Sequence, residues 1–228
     1  SGANNAAITA TSGVGNGVWV AGGITTNSLI FSYDGISWSE VPGSLTILTS
    51  CSAIAFGNGL FVAGGVASSS GSSAVDATAN IFYSTDGIAW SPIRNSVSRI
   101  SAGASISSIA YGRDENGRGL WVAGATTATS TAISLMYSYN GMDWVGVVNS
   151  GTTVSAISVS GIAYGVSAST GRGLWVATVH RSTADGNSFV FSSNGRDGWT
   201  AVPNTKAGLF EPTNSGPTSI SYFNGVWY

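Results

Sequence analysis

The sequence predicts an all-β fold assembled from repeated four-stranded antiparallel units. Three observations predict it. A set of phrases recurs in one order at spacings of 42 to 60 residues. Each full copy carries an Asp-Gly or Asn-Gly pair between two apolar runs. The runs are rich in Val, Ile, Trp, Tyr and Thr, and no window has the 3.6-residue period of a helix.

The first strand of each unit is read from Ala53-Ile54-Ala55-Phe56-Gly57, Ile109-Ala110-Tyr111-Gly112, Ile162-Ala163-Tyr164-Gly165 and Ile220-Ser221-Tyr222-Phe223. The second is Gly17-Val18-Trp19-Val20-Ala21, Gly59-Leu60-Phe61-Val62-Ala63, Gly119-Leu120-Trp121-Val122-Ala123 and Gly173-Leu174-Trp175-Val176-Ala177, with a fifth copy beginning at Gly225-Val226-Trp227. The third strands are Leu29–Tyr33, Asn80–Ser84, Leu135–Tyr139 and Phe189–Ser193. The fourth begin at Trp38, Trp90, Trp144 and Trp199. Between strands three and four, Asp34, Asp86, Asn140 and Asn194 each precede a glycine. That pair is a strong hairpin signal, because a type I′ turn needs positive φ at both central residues. Asp and Asn exchange freely among the copies, which assigns them a turn role. The four motif tryptophans are assigned to the core between units, each indole N–H finding a backbone acceptor.

Small apolar residues on both faces of short strands suit a sheet covered on both sides. Four-stranded units of this size stacked about an axis make a β-propeller, or a large arc of one. One domain over residues 1–228 is expected, with units at about 6–50, 51–104, 105–156 and 157–213 and a partial unit at 214–228. The last pair of strands repeats the start of a unit, so it cannot complete the first one. The chain therefore reads as cut from a longer propeller, with open blade edges through which copies could associate.

The Ser-x-Asp/Asn-Gly-x-x-Trp turns resemble the Asp-box of sialidase-type propellers, with one residue fewer between Asp and Gly. The whole unit is also similar to repetitive propeller proteins of bacteria, phages and large DNA viruses. The resemblance implies a propeller. Sialidase chemistry would add an arginine cluster for a substrate carboxylate, a tyrosine nucleophile and carboxylate partners. The seven arginines (Arg94, Arg99, Arg113, Arg118, Arg172, Arg181 and Arg196) fall mostly in non-equivalent loops, and none lies in the first unit.

Composition excludes several classes. The net charge is −2 with 8% charged residues, against about 25% in ordinary domains, so no basic stripe for nucleic acid is present. No apolar run approaches the ~18 residues of a spanning helix, so no membrane insertion is expected. The single Cys51 excludes an internal disulfide and a cysteine metal cluster, and no metal or cofactor is expected. Scarce lysine (Lys206 alone), abundant Ser, Thr and Gly and the low pI lean toward an extracellular, cell-surface or virion-surface setting. The start at Ser1-Gly2-Ala3 reads as a mature product or excised piece.

Few residues carry chemistry. A glycosidase needs two carboxylates ~5–9.5 Å apart, and no pair drawn from Asp76, Asp114, Glu115, Asp185 and Glu211 recurs with a motif around it. Arg113-Asp114-Glu115-Asn116 is the densest charge cluster and reads as a solvated loop tip. Arg118 and Arg172 occupy equivalent positions between glycines, within reach of neighbouring acids. The loops Val66–Thr78, Ala125–Thr131, Thr178–Asn187 and Pro203–Pro217 vary most, and variable loops on a rigid scaffold are where binding resides. They nominate His180, Arg181, Asp185 and Phe210 as ligand contacts, and catalytic residues are not nominated. The expectation is a non-catalytic module that recognises a glycan or protein surface. The alternatives are a structural protein acting through self-association and a sialidase-like glycoside hydrolase.

Overall fold

In the computed structural model the described residues are 13–15, 17–24, 27–68, 79–94, 96, 104–127, 133–148, 150, 158–167, 170–180, 189–202 and 217–228. They divide into two compact units, Ser1–Ser96 and Val97–Tyr228. The first unit holds two four-stranded antiparallel blades. Blade one is β1 (Gly13–Gly15), β2 (Val18–Gly22), β3 (Leu29–Ser32) and β4 (Ser39–Glu40). A single helical turn, α1 (Ser44–Ile47), leads into blade two: β5 (Leu48–Gly57), β6 (Leu60–Ala67), β7 (Ile81–Ser84) and β8 (Ser91–Pro92).

The second unit holds blade three, with β9 (Ser105–Arg113), β10 (Gly119–Thr126), β11 (Leu135–Ser138) and β12 (Val145–Gly146). Blade four follows as β13 (Ser158–Val166), β14 (Gly173–His180), β15 (Phe189–Ser192) and β16 (Thr200–Ala201), and then the hairpin β17 (Tyr222–Phe223) and β18 (Val226–Trp227). Strand order follows chain order within each blade, so each is an up-and-down meander. A bridge between Thr126 and Ser158 joins blades three and four at one corner. The fold class is all-β, of the β-propeller type.

Central strands are buried on both faces: Leu60–Gly65 of β6 and Leu120–Ala125 of β10 are buried at every position. That explains runs such as Leu-Trp-Val-Ala-Gly, which lack the polar alternation of a sheet with one wet face. Blades meet through a glycine and an aromatic pair. Across each first hairpin the rings pair at 4.7 to 5.0 Å: Phe56–Phe61, Tyr111–Trp121, Tyr164–Trp175 and Tyr222–Trp227. Gly112 of blade three lies beneath the Tyr164–Trp175 pair of blade four. A Cβ there would come within 2.3 Å of the Tyr164 ring and 2.8 Å of Trp175. Gly165 lies beneath Tyr222 and Trp227 in the same way, at 2.5 and 2.8 Å. The Trp175 indole N–H also crosses between blades to donate to the Arg113 carbonyl at 2.9 Å.

The Asp/Asn-Gly turns differ from the type I′ expectation. Only the glycines have positive φ, at 74° for Gly35, 77° for Gly87, 75° for Gly141 and 71° for Gly195. The side chains supply what a second left-handed residue would have supplied. Ser84 Oγ accepts the Gly87 N–H at 2.8 Å, and Asp86 Oδ1 accepts the N–H groups of Ile88 and Ala89, each at 2.8 Å. Asn140 Oδ1 accepts from Met142 and Asp143 in the same pattern, at 2.9 and 2.8 Å. The tryptophan then closes the loop by donating to the glycine carbonyl, at 3.0 Å for Trp90 to Gly87 and 3.0 Å for Trp144 to Gly141. True paired left-handed turns occur elsewhere, at Asn58-Gly59 between β5 and β6 and at Asn224-Gly225 between β17 and β18.

The motif tryptophans are not equally buried. Trp144 and Trp199 are 2% and 3% exposed, whereas Trp90 is half-buried against Phe61 and Trp38 is 37% exposed. Trp38, assigned to the core from the repeat, is therefore a partial surface residue. The cause is the neighbouring blade. Gly87 lies under Val18 and Val20 of blade one, and Gly195 lies under Leu120 of blade three. Gly35 meets only Trp19 of its own blade among the described residues, and Trp19 itself is 38% exposed.

These contacts set three expectations. Gly112→Ala should lower stability by about 1–3 kcal/mol, the overpacking range, read from the denaturation midpoint. Trp144→Ala should cost about 3–5 kcal/mol, and Trp38→Ala less than about 1 kcal/mol. Hydrogen bonds from Ile88 and Ala89 hold the Asp86 carboxyl below its ordinary value. Its contribution is therefore present above the unfolded-state value of ~4 and is lost as pH falls through the lower folded value. Asp86→Asn keeps the acceptor oxygen used in blades three and four, so it should preserve stability at neutral pH while weakening the loss in acid.

Candidate functional site

The hairpin loops between first and second strands and the Ser-x-Asp/Asn-Gly turns emerge at the same end of a blade. In the second unit they enclose a cleft of about 620 Å³, lined by Arg113, Asp114, Glu115 and Gly117 of blade three and by Tyr164, Val166, Gly171, Arg172, Gly173 and Ser193 of blade four. The charge cluster read as a solvated tip is instead half internal, because the Asp114 side chain is fully buried.

Five donors make that burial tolerable. Asp114 Oδ1 accepts the N–H groups of Asn116 and Arg118, each at 2.9 Å. Oδ2 accepts from Arg118 Nε at 2.9 Å, from its terminal nitrogen at 2.9 Å and from the Tyr139 hydroxyl at 3.3 Å. Burial alone would raise the acid's pKa, but the backbone and guanidinium bonds from Arg118 and the Asn116 N–H outweigh it and hold the carboxyl below its ordinary value. Asp114 is thus ionised with its acceptor sites filled, a group that shapes the loop. Arg118 stacks over the Tyr139 ring at 4.4 Å and donates to its hydroxyl at 2.8 Å.

Glu115 faces outward and accepts from Arg196 of blade four, while Asn116 Nδ2 reaches it at 3.4 Å. Arg113 donates to the Gly117 carbonyl at 2.7 Å across its own loop. Tyr164 is half-buried at the cleft wall, where burial raises its pKa and keeps the phenol protonated at neutral pH. The blade-four loop closes on the same backbone hydrogen bond as its blade-three counterpart, with one residue more between the two ends. Asp114 N–H donates to the Arg118 carbonyl at 2.9 Å, and Ser167 N–H donates to the Arg172 carbonyl at 2.9 Å. Ser167 therefore stands where Asp114 stands, and Ser193 stands where Tyr139 does.

The nominated ligand residues do not converge here. His180 ends β14, and its side chain is outside what the structure describes. Arg181, Asp185 and Phe210 lie outside the described residues, as do most of the variable loops that nominated them. Sequence reasoning missed Tyr164 and Ser193 because both sit inside repeat phrases that were read as structural. The equivalence of Arg118 and Arg172 was the signal that leads to the cleft. Cys51 is fully buried, and burial pushes its thiol up to about 12, so it is chemically inert. Among the described residues, no three His, Cys, Asp or Glu side chains gather as a metal site.

No family model matches the chain, and no curated protein does. Solved structures match it in fold. An alpha-L-arabinofuranosidase from Clostridium thermocellum is 11% identical, with a TM-score of 0.44 over 95% of this chain and 79% of that one. An exo-inulinase from Aspergillus awamori is 15% identical, with a TM-score of 0.46 over 84% of this chain and 48% of that one. A sucrose-6-phosphate hydrolase from Lactobacillus gasseri is 10% identical, with a TM-score of 0.43 over 82% and 45%. The chain spans less than half the length of the last two. At these identities the likeness reaches the fold and not the activity. The names of these three structures, all sugar-cleaving enzymes, contradict the expectation of a non-catalytic recognition module.

The Asp114 arrangement is tested by Asp114→Asn. It exchanges one carboxylate oxygen for an amide that cannot accept from Arg118, and should cost about 1–3 kcal/mol in the thermal melt.

Proposed function

We propose that the chain contributes to glycoside processing and that the 620 Å³ cleft is where the sugar binds. The observation that supports this most directly is the pairing, at one cleft wall, of a locked carboxylate with an outward-facing one. Asp114 is buried and saturated with donors, while the Glu115 side chain is 41% exposed and held by a single arginine across the blade boundary. Two adjacent acids in opposed environments separate a scaffolding role from a chemical one. Glu115 is the carboxylate that can exchange a proton with a bound glycoside, and Arg196 orients it. The protonated Tyr164 hydroxyl is a donor at the wall, and Ser193 and the Gly171–Gly173 backbone offer the short polar contacts that sugar hydroxyls need. The other carboxylate in the cleft lining, Asp114, has both oxygens engaged by its own loop and by Tyr139.

This reading takes up the hydrolase alternative from the sequence. The Asp-box-like turns then belong to the scaffold: in each, one side-chain oxygen of the Asp or Asn accepts two backbone N–H groups of its own turn.

A panel of chromogenic furanosides and pyranosides tests the reading. Release of the chromophore from at least one, reduced about 10²–10⁴-fold in Glu115→Gln with KM little changed, is the expected result. Glutamine keeps the oxygen that accepts from Arg196 and removes only the proton exchange. Absence of turnover across the panel, together with no saccharide binding by calorimetry, would overturn it.

A further inference from the structure

The two equivalent loops of blades three and four differ at the positions that neutralise their arginines. In blade three, Arg118 has a buried carboxylate (Asp114) on one side and an aromatic ring with its hydroxyl (Tyr139) on the other. In blade four the same closing hydrogen bond, across a loop one residue longer, is made by Ser167 in place of the acid, and Ser193 stands in place of the tyrosine. Arg172 thus keeps the position of Arg118 and loses both partners. Both Arg172 and Ser193 line the cleft. The remaining charges sharpen the contrast. Glu115 is neutralised by Arg196, and Asp114 by Arg118. Asp197, on the neighbouring turn, accepts from the Asn194 side-chain amide at 2.6 Å and does not line the cleft. Arg113 lines the cleft too, and among the described residues its side chain donates to the Gly117 carbonyl. Among the described residues, then, the two cleft-lining guanidinium groups of Arg113 and Arg172 form no ion pair, although the chain as a whole is acidic.

We propose that the cleft selects an anionic saccharide, whose carboxylate or sulfate is held by Arg172 with Arg113 beside it. This rests on the reading of the cleft as a sugar site and names the class of sugar. A planar guanidinium matches the two oxygens of such a group in paired hydrogen bonds. Leaving Arg172 without its internal acid keeps that fork open. The blade-three loop is the counterexample inside the same molecule, with the fork closed by Asp114.

The test uses the full chain and three probes: trigalacturonic acid, its fully methyl-esterified form, and a sulfated maltotriose. Binding is measured by calorimetry at low salt and again at about 0.5 M salt. The acid or the sulfated probe should bind at least about ten-fold tighter than the ester, and the gap should narrow at high salt. Which of the two binds identifies the anion. Arg172→Gln should remove most of the preference, weakening the charged probes far more than the ester. Ser167→Asp should do the same by restoring in blade four the acid that blade three possesses. An unchanged thermal melting midpoint reports that both variants remain folded. Equal affinity for charged and neutral probes would overturn the charge selection while leaving the sugar site standing. A preference that survives in both variants would overturn its assignment to Arg172. Failure of all three probes to bind would overturn the sugar site and the selection together.

Discussion

The close approach of one glycine to the aromatic pair of the next blade is the constraint on which this architecture rests. Gly112 under Tyr164 and Trp175, and Gly165 under Tyr222 and Trp227, leave no room for even a methyl group. This explains why the first-strand phrase ends in glycine and why the second-strand phrase carries a large ring at its centre. One is the recess and the other fills it. The apolar residues that cluster in the second unit, such as Leu120, Val122, Val159, Ile162 and Val190, come from both blades on either side of that contact. Burial of that surface supplies most of the favourable free energy, but the glycine sets the distance at which it is buried.

Much of this was legible because the chain states the same unit several times. The four-strand order, the meander within a blade and the place of the Asp/Asn-Gly turns follow from three phrases in a fixed order. What the repeat concealed was inequality among copies. Trp38 reads as the equal of Trp144, yet their exposures are 37% and 2%. A tryptophan's burial depends on the blade before it, and no pattern within a single unit carries that information. The turn geometry was misread for a related reason. An Asp-Gly pair satisfies the sequence rule for a type I′ turn, but a serine two residues before the acid, with the acid's own oxygen, satisfies the backbone in another way.

The candidate site was hidden in plain charge. A short run of Arg, Asp, Glu and Asn has the composition of a wet loop tip, and only three dimensions place Tyr139 and Arg118 around Asp114 to make its burial affordable. Two hairpin loops closed by the same backbone hydrogen bond, one a residue longer than the other, then diverge in what they do with an arginine. One consumes it internally as a strut, and the other presents it to the cleft. A repeat protein can thus acquire a functional group without new backbone, by losing the partner of a residue that already exists.

Phe223 marks where that economy changes. It occupies the place held by Gly112 and Gly165 in the earlier blades, and it is 73% exposed. The glycine-to-ring contact recurs from blade three to blade four and from blade four to the hairpin. A benzyl ring at the next equivalent position fills the hollow that a glycine leaves. An element placed against the β17–β18 hairpin must pack onto a protrusion where its predecessors nested into a hollow. A single side chain thus turns a hollow into a protrusion at this edge of the second unit.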